Sequence, residues 1–178
     1  MPDESRRLSS AVLAVRGRRD RLLIRSATEK DLDTVAAMRV ALLREERENP
    51  FFANPHPDAE ERAQRLTHAD IVAPGQAFLL ALRGGVIVGM LRCRAVRRTP
   101  LVEDDRQGVV TTVYVIPSER RTGVLRALLR AADTWCRQHD VPEMRLHCAL
   151  TNDTARKAWE SLGFEPAEVV YLRGVPRA

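Results

Sequence analysis

The sequence predicts a mixed α/β (α+β) domain, in which strands first pair with a chain neighbour and then alternate with helices. Three observations predict it. Two apolar runs, Ala77–Leu82 and Val86–Leu91, flank Gly84-Gly85 and read as a β-hairpin around a glycine turn. Further along, the β-branched run Val109–Ile116 and the alternating Met144, Leu146, Cys148 and Leu150 bracket a helical stretch with Val124, Ala127, Leu128, Ala131 and Trp135 on one face. Finally, 178 residues at 44% hydrophobic and 30% charged suffice for one core and are unlike a disordered chain.

Taken in order, Leu22–Arg25 is a first short strand. Thr28-Glu-Lys-Asp31 offers a capping box, and Leu32, Val35, Ala36, Leu42 and Leu43 follow at helical spacing to about Glu48. Pro50, Pro55 and Pro57 force a loop. Asp58-Ala-Glu-Glu61 repeats the capping pattern before a shorter second helix carrying Ala59, Ala63 and Leu66. Pro74-Gly75 precedes the hairpin, a polar loop runs from Arg97 to Gln107, and the next strand stops at Pro117. A helix is expected from Val124 to His139, a strand through Leu150, a helix from Asn152 to Leu162 closed by Gly163, and a last strand from Phe164 to Leu172.

Charge and cysteine usage exclude several classes. The net charge of +5 is concentrated in residues 1–25, where seven arginines face Asp3, Glu4 and Asp20. Residues 1–21 therefore read as an arginine-rich, solvated arm and 22–178 as the folded domain. Without a basic face on that domain, nucleic acid is not an expected partner; a nucleic-acid role would fall to the arm. No apolar run approaches a membrane span, and Ala11–Val15 is too short for a signal peptide. Cys93, Cys136 and Cys148 are scattered and odd in number, which argues against disulfides or a metal site and for a cytoplasmic setting.

The chemistry concentrates in Val113-Tyr-Val-Ile-Pro-Ser-Glu-Arg-Arg-Thr-Gly-Val-Leu-Arg126. A strand ends, an arginine-rich loop follows, and a helix opens at Gly123. The first amides of a helix lack internal partners and carry partial positive charge, so such a junction is an anion site. Arg120, Arg121 and Arg126 can add charge-assisted contacts. Neither a Walker loop nor G-x-G-x-x-G is present.

At these residues the chain resembles the GNAT acetyltransferase superfamily. Val113-Tyr-Val-Ile-Pro117, then Arg120-Arg-Thr-Gly-Val-Leu125 opening a long helix, is similar to that family's central motif. Downstream, Asn152-Asp-Thr-Ala155, Trp159 and Gly163-Phe164 match a second family pattern in the right order. The resemblance covers residues 22–172. It implies a mostly antiparallel sheet with flanking helices, a hairpin followed by β-α-β-α-β. It further implies acetyl transfer from acetyl-CoA to a primary amine of a small molecule or peptide, by direct attack on the thioester and without a metal; a homodimer is compatible with it.

The resemblance also assigns residues. The amides of Arg121, Thr122, Gly123, Val124, Leu125 and Arg126 would hold the pyrophosphate, with Arg120 contributing. The edge Val113, Tyr114, Val115 would pair with the pantetheine, one amide polarising the thioester carbonyl. Asn152 would hydrogen-bond the pantetheine and Trp159 would pack on it. Two departures stand out: Leu125 replaces a small residue, and Trp159 replaces a frequent tyrosine that is a candidate acid. Thr111 or Thr112 occupies the strand position that often carries an acid. Candidate bases are Glu103, Asp104 and Asp105 before the strand and Glu45, Glu46 and Glu48 at the first helix's end, with Glu103 and Glu46 preferred. Because familiar acid and base positions are altered, a non-catalytic CoA-binding or regulatory module is the alternative reading.

Overall fold

The computed structural model describes residues 21–103 and 105–175. The chain divides into two compact units, through His147 and from Cys148 onward. Residues 1–20 of the arginine-rich arm, and Asp104, lie outside the described residues.

In the first unit, β1 (Leu22–Ser26), β2 (Gln76–Arg83), β3 (Val86–Arg97), β4 (Arg106–Val115) and β5 (Met144–Leu146) form one sheet in the order β1-β2-β3-β4-β5. The first four are antiparallel neighbours, and β5 pairs parallel to β4. Among the described residues this unit carries three α-helices, α1 (Leu32–Glu45), α2 (Ala59–Val72) and α3 (Val124–Gln138). α3 makes the crossover that a parallel β4–β5 pair requires.

Two cores cover the sheet. On one side Val35 and Met38 of α1 pack with Phe78, Leu80, Leu82, Met90 and Tyr114. On the other, α3 presents its buried Val124, Leu128, Leu129, Ala132 and Cys136. The approach is close at Gly89, where a Cβ would lie 2.8 Å from Val124 Cγ1 and 3.3 Å from Leu128 Cδ1. Gly108 likewise sits beneath the thiols of Cys93 and Cys136, whose sulfurs are 3.8 Å apart.

The capping box at Thr28 forms, around a short 3-10 turn at Glu29–Asp31 that precedes α1. α1 ends three residues before the expected Glu48: the residue before a proline avoids the helical region, and Asn49 instead accepts the Phe51 amide at 3.1 Å. Asp58 does not cap α2 through its side chain; its carboxylate takes Arg62 Nε at 3.2 Å and the His56 ring. α2 is also no shorter than α1, each having 14 residues. The hairpin strands are longer than expected and the polar loop correspondingly shorter.

Two strand expectations fail. β5 stops at Leu146 rather than Leu150: its register with β4 ends at the Val110–Leu146 pair. Phe164–Leu172 is not a strand. Its β-branched residues suit a sheet, but such propensity needs a paired neighbour, and Pro166 removes a donor.

The second unit contains α4 (Asp153–Ser161). Asn152 caps it, accepting the Ala155 amide at 3.0 Å. Gly163, at φ 92°, closes it: the Gly163 amide donates to Glu160 and the Phe164 amide to Trp159, a Schellman motif.

Candidate active site

The site builds from the C-terminal half of β4. Among the described residues of the first unit no strand pairs with β4 beyond Val110 on its β5 side, so Thr111–Val115 presents an open edge there. On the β3 side the register slips: Met90 faces Tyr114 and Arg92 faces Thr111, leaving Thr112 and Val113 without a partner. Thr112 adopts φ 53°, a left-handed conformation that a β-branched residue takes only under strain. A bulge of this kind turns backbone groups out of the ladder. Beside it the Thr111 hydroxyl is buried without a hydrogen-bond partner among the described residues, a polar atom suited to orienting water or substrate.

After β4 the chain makes a 3-10 turn, Pro117–Glu119, and then enters α3. Arg121 (φ 63°) and Gly123 (φ 89°) are both left-handed, which wraps successive amides into a concavity at the helix start. Gly123 is the N-cap, the first turn of α3 carries no acid, and a Cβ at Gly123 would meet nothing within 4 Å. The cradle is thus open and electropositive, and it fits a diphosphate. Arg121 and Arg126 are exposed and have no ion-pair partner among the described residues. The loop is braced from behind: Glu119 accepts Arg83 Nε at 2.9 Å, and the Thr122 hydroxyl donates to the Glu119 carbonyl at 2.7 Å. Leu125 is half-buried, next to the fully buried Val124.

Arg120 is engaged by a carboxylate of α1. Its Nη2 holds both oxygens of Glu45, at 2.9 and 2.6 Å, and its Nε donates to the Val115 carbonyl at 3.0 Å. The Tyr114 hydroxyl donates to the same Glu45 at 3.1 Å, and the guanidinium lies 5.7 Å from the Tyr114 ring centroid. Burial raises the Tyr114 phenol above its ordinary pKa, Glu45's carboxylate adds to the rise, and Arg120 opposes it.

The candidate bases separate by position. Glu103 precedes Arg106, and the bulge at Thr112 lies six residue steps, about 20 Å, further along the strand. It precedes the opposite end of β4 from the bulge. Asp105 is paired with Arg97 at 3.0 Å. Glu46 is half-buried in the turn after α1 and accepts the Asn49 amide group at 3.3 Å. Glu45 is the carboxylate that the fold brings against the end of β4.

In the second unit, Asn152 is engaged as the α4 cap. Trp159 packs edge-on against Phe164 with centroids 5.4 Å apart, the hydrophobic contact of the helix C-cap.

Sequence reasoning missed a buried polar network beneath α2. Asp70 accepts Arg39 and also Arg92 at 2.9 Å; Arg92 Nε donates to Gln76 at 2.7 Å. Desolvation lowers the Arg92 pKa. The available signal was a charge on each helix's apolar side: Arg39 after Val35 and Met38, Asp70 after Ala63 and Thr67. Among the described residues no group of side chains could hold a metal ion, and no helix is long and apolar enough to cross a membrane.

Comparison with known proteins agrees with this geometry. A family model described as the acetyltransferase (GNAT) family matches residues 40–164. An aminoglycoside N(6')-acetyltransferase type 1 of Stenotrophomonas maltophilia is 31% identical over 154 residues, spanning 84% of this chain and 91% of that enzyme. Among solved structures, AAC(6')-Iy in complex with a bisubstrate analogue, CoA-S-monomethyl-acetylneamine, superposes with a TM-score of 0.72 at 21% identity, covering 88% of this chain and all of that one. An acetyltransferase of Clostridium acetobutylicum with acetyl-CoA gives 0.71 at 17% identity, covering 86% and 96%. Named enzymes among these relatives favour the catalytic reading over the non-catalytic module.

Proposed function

The chain belongs to the acetyltransferase (GNAT) family and is an acetyl-CoA-dependent N-acetyltransferase, and on that premise we propose that its acceptor is a primary amine of an aminoglycoside-like polyamine. The observation that carries the proposal is the near full-length likeness to an aminoglycoside 6'-acetyltransferase. Charge supports it: residues 41–74, the end of α1 through α2, hold seven carboxylates against four arginines in a chain of net charge +5. A polycation is drawn to such a stretch.

In this reading acetyl-CoA supplies the activated acyl group. The amides of 121–126 hold the diphosphate, with Arg121 and Arg126 adding charge. The open edge Val113–Val115 takes the pantetheine amides as a sheet edge takes a strand. An amide at Val113 or Tyr114 donates to the thioester carbonyl, and the acceptor amine attacks directly. Glu45, with Glu46 in the turn behind it, faces the acceptor side; Thr111 orients a water that carries away the amine's proton. The assignment of Asn152 and Trp159 to the cofactor rests on the resemblance alone. Residues 22–178 form the catalytic domain, and three free cysteines suit a cytoplasmic enzyme.

Thiol release from acetyl-CoA tests the acceptor. Aminoglycosides bearing a 6'-amine are expected to be consumed and their 6'-hydroxyl counterparts spared. No release with any aminoglycoside, or equal rates with both sets, overturns the proposal.

A further inference from the structure

Arg120 stands between two anionic positions. On one side its terminal nitrogen grips both oxygens of Glu45. On the other it immediately precedes the amides 121–126 that cradle a diphosphate. Its Nε–H donates to the Val115 carbonyl, and because the guanidinium is one rigid plane, a turn toward the diphosphate exchanges that bond together with Glu45. The Arg120 and Glu45 side chains are 45% and 41% exposed. Parting them leaves no charge buried, and exposed pairs of this kind contribute little to stability. Glu45 is also the last residue of α1, where the acidic stretch assigned to the acceptor begins. One ion pair therefore joins the donor side of the site to the acceptor side.

We propose that Arg120 is exchanged between Glu45 and the cofactor's diphosphate, so that donor binding uncovers the Glu45 carboxylate for an ammonium group of the acceptor. The inference rests on the polyamine-acetyltransferase reading above. A diphosphate carries more charge than one carboxylate and suits the planar guanidinium equally well, so it wins the competition. Tyr114 keeps its hydrogen bond to Glu45 and orients the freed carboxylate. No covalent bond changes. Arg120 is a positioning residue in this scheme, and the coupling it carries is reciprocal by thermodynamic necessity.

Calorimetry on the full chain tests it, with a 6'-amino aminoglycoside as acceptor and unacetylated CoA as donor analogue, so that nothing turns over. Saturating CoA is expected to tighten acceptor binding about five- to tenfold, and acceptor to tighten CoA by the same factor. E45Q and R120Q should each abolish the coupling. Thermal melting confirms that the variants fold, and either charge variant alone suffices. Equal acceptor affinity with and without CoA in the unaltered chain, or coupling that survives in E45Q or R120Q, overturns the proposal. Failure of the unaltered chain to bind CoA at all would instead sink the functional reading beneath it.

Discussion

Asp31 illustrates how much one side chain does here. Its carboxylate accepts both terminal nitrogens of Arg25 at 2.7 Å, the Thr28 amide at 2.8 Å and the Thr28 hydroxyl at 2.9 Å. Arg25's hydrogen bonds are the largest cause that holds this carboxyl well below the usual carboxylate range; its burial works the other way. A carboxyl whose pKa is lowered on folding stabilises the fold above its unfolded value of about 3.9 and loses that contribution as pH falls. D31N is therefore expected to cost about 2 kcal/mol at pH 7, where charged hydrogen bonds are at full strength. The gap to the unaltered protein should narrow below about pH 4 in urea titrations; a gap that does not change with pH contradicts the assignment. The motif that joined Thr28 to Asp31 was legible in the sequence, but Arg25 was not, since nothing in a strand residue's position marks its partner. Trp159 teaches a related lesson. Its motif position suggested the cofactor, and its visible contact is the Phe164 ring across a helix cap.

At the scale of elements, the hairpin, the β4–loop–α3 junction and α4 with its closing Gly163 were all readable, because glycine, proline and helical periodicity act locally. What was not readable is the bulge. Thr112 looks like any β-branched strand residue, and only its pairing with β3 shows the slipped register. β5 was over-read for the same reason: alternation predicts a strand, but its length depends on how far it stays in register with β4. The placement of α3 depends on Gly89, which admits Val124 and Leu128 against the sheet. G89A is expected to destabilise by about 2 kcal/mol through overpacking. By pushing the first turn of α3 off the sheet, it should also weaken CoA binding. Melting temperature and calorimetry read the two effects, and an unchanged melting temperature refutes the packing argument.

The core of the first unit as a whole is tested by its thiols. Cys93 and Cys136 are buried between β3 and α3, and burial is the main cause that pushes both thiols up from their ordinary pKa. Reaction needs the thiolate and access, so both should resist iodoacetamide at pH 8 until the protein unfolds globally. Mass spectrometry reads the label; modification of either in native conditions would mean local opening of the α3–sheet contact. The sequence by itself determined the mixed sheet, the strand–loop–helix junction and the family, because each follows from local periodicity, turn chemistry or a short motif. Tertiary structure alone decided that Glu45 rather than Glu103 meets the end of β4, and that Arg120 serves a carboxylate 75 residues away. It alone paired Arg39 with Asp70 across two helices. Such pairings depend on how elements stack, and a chain's order does not record which of its charges will be brought together when apolar faces close.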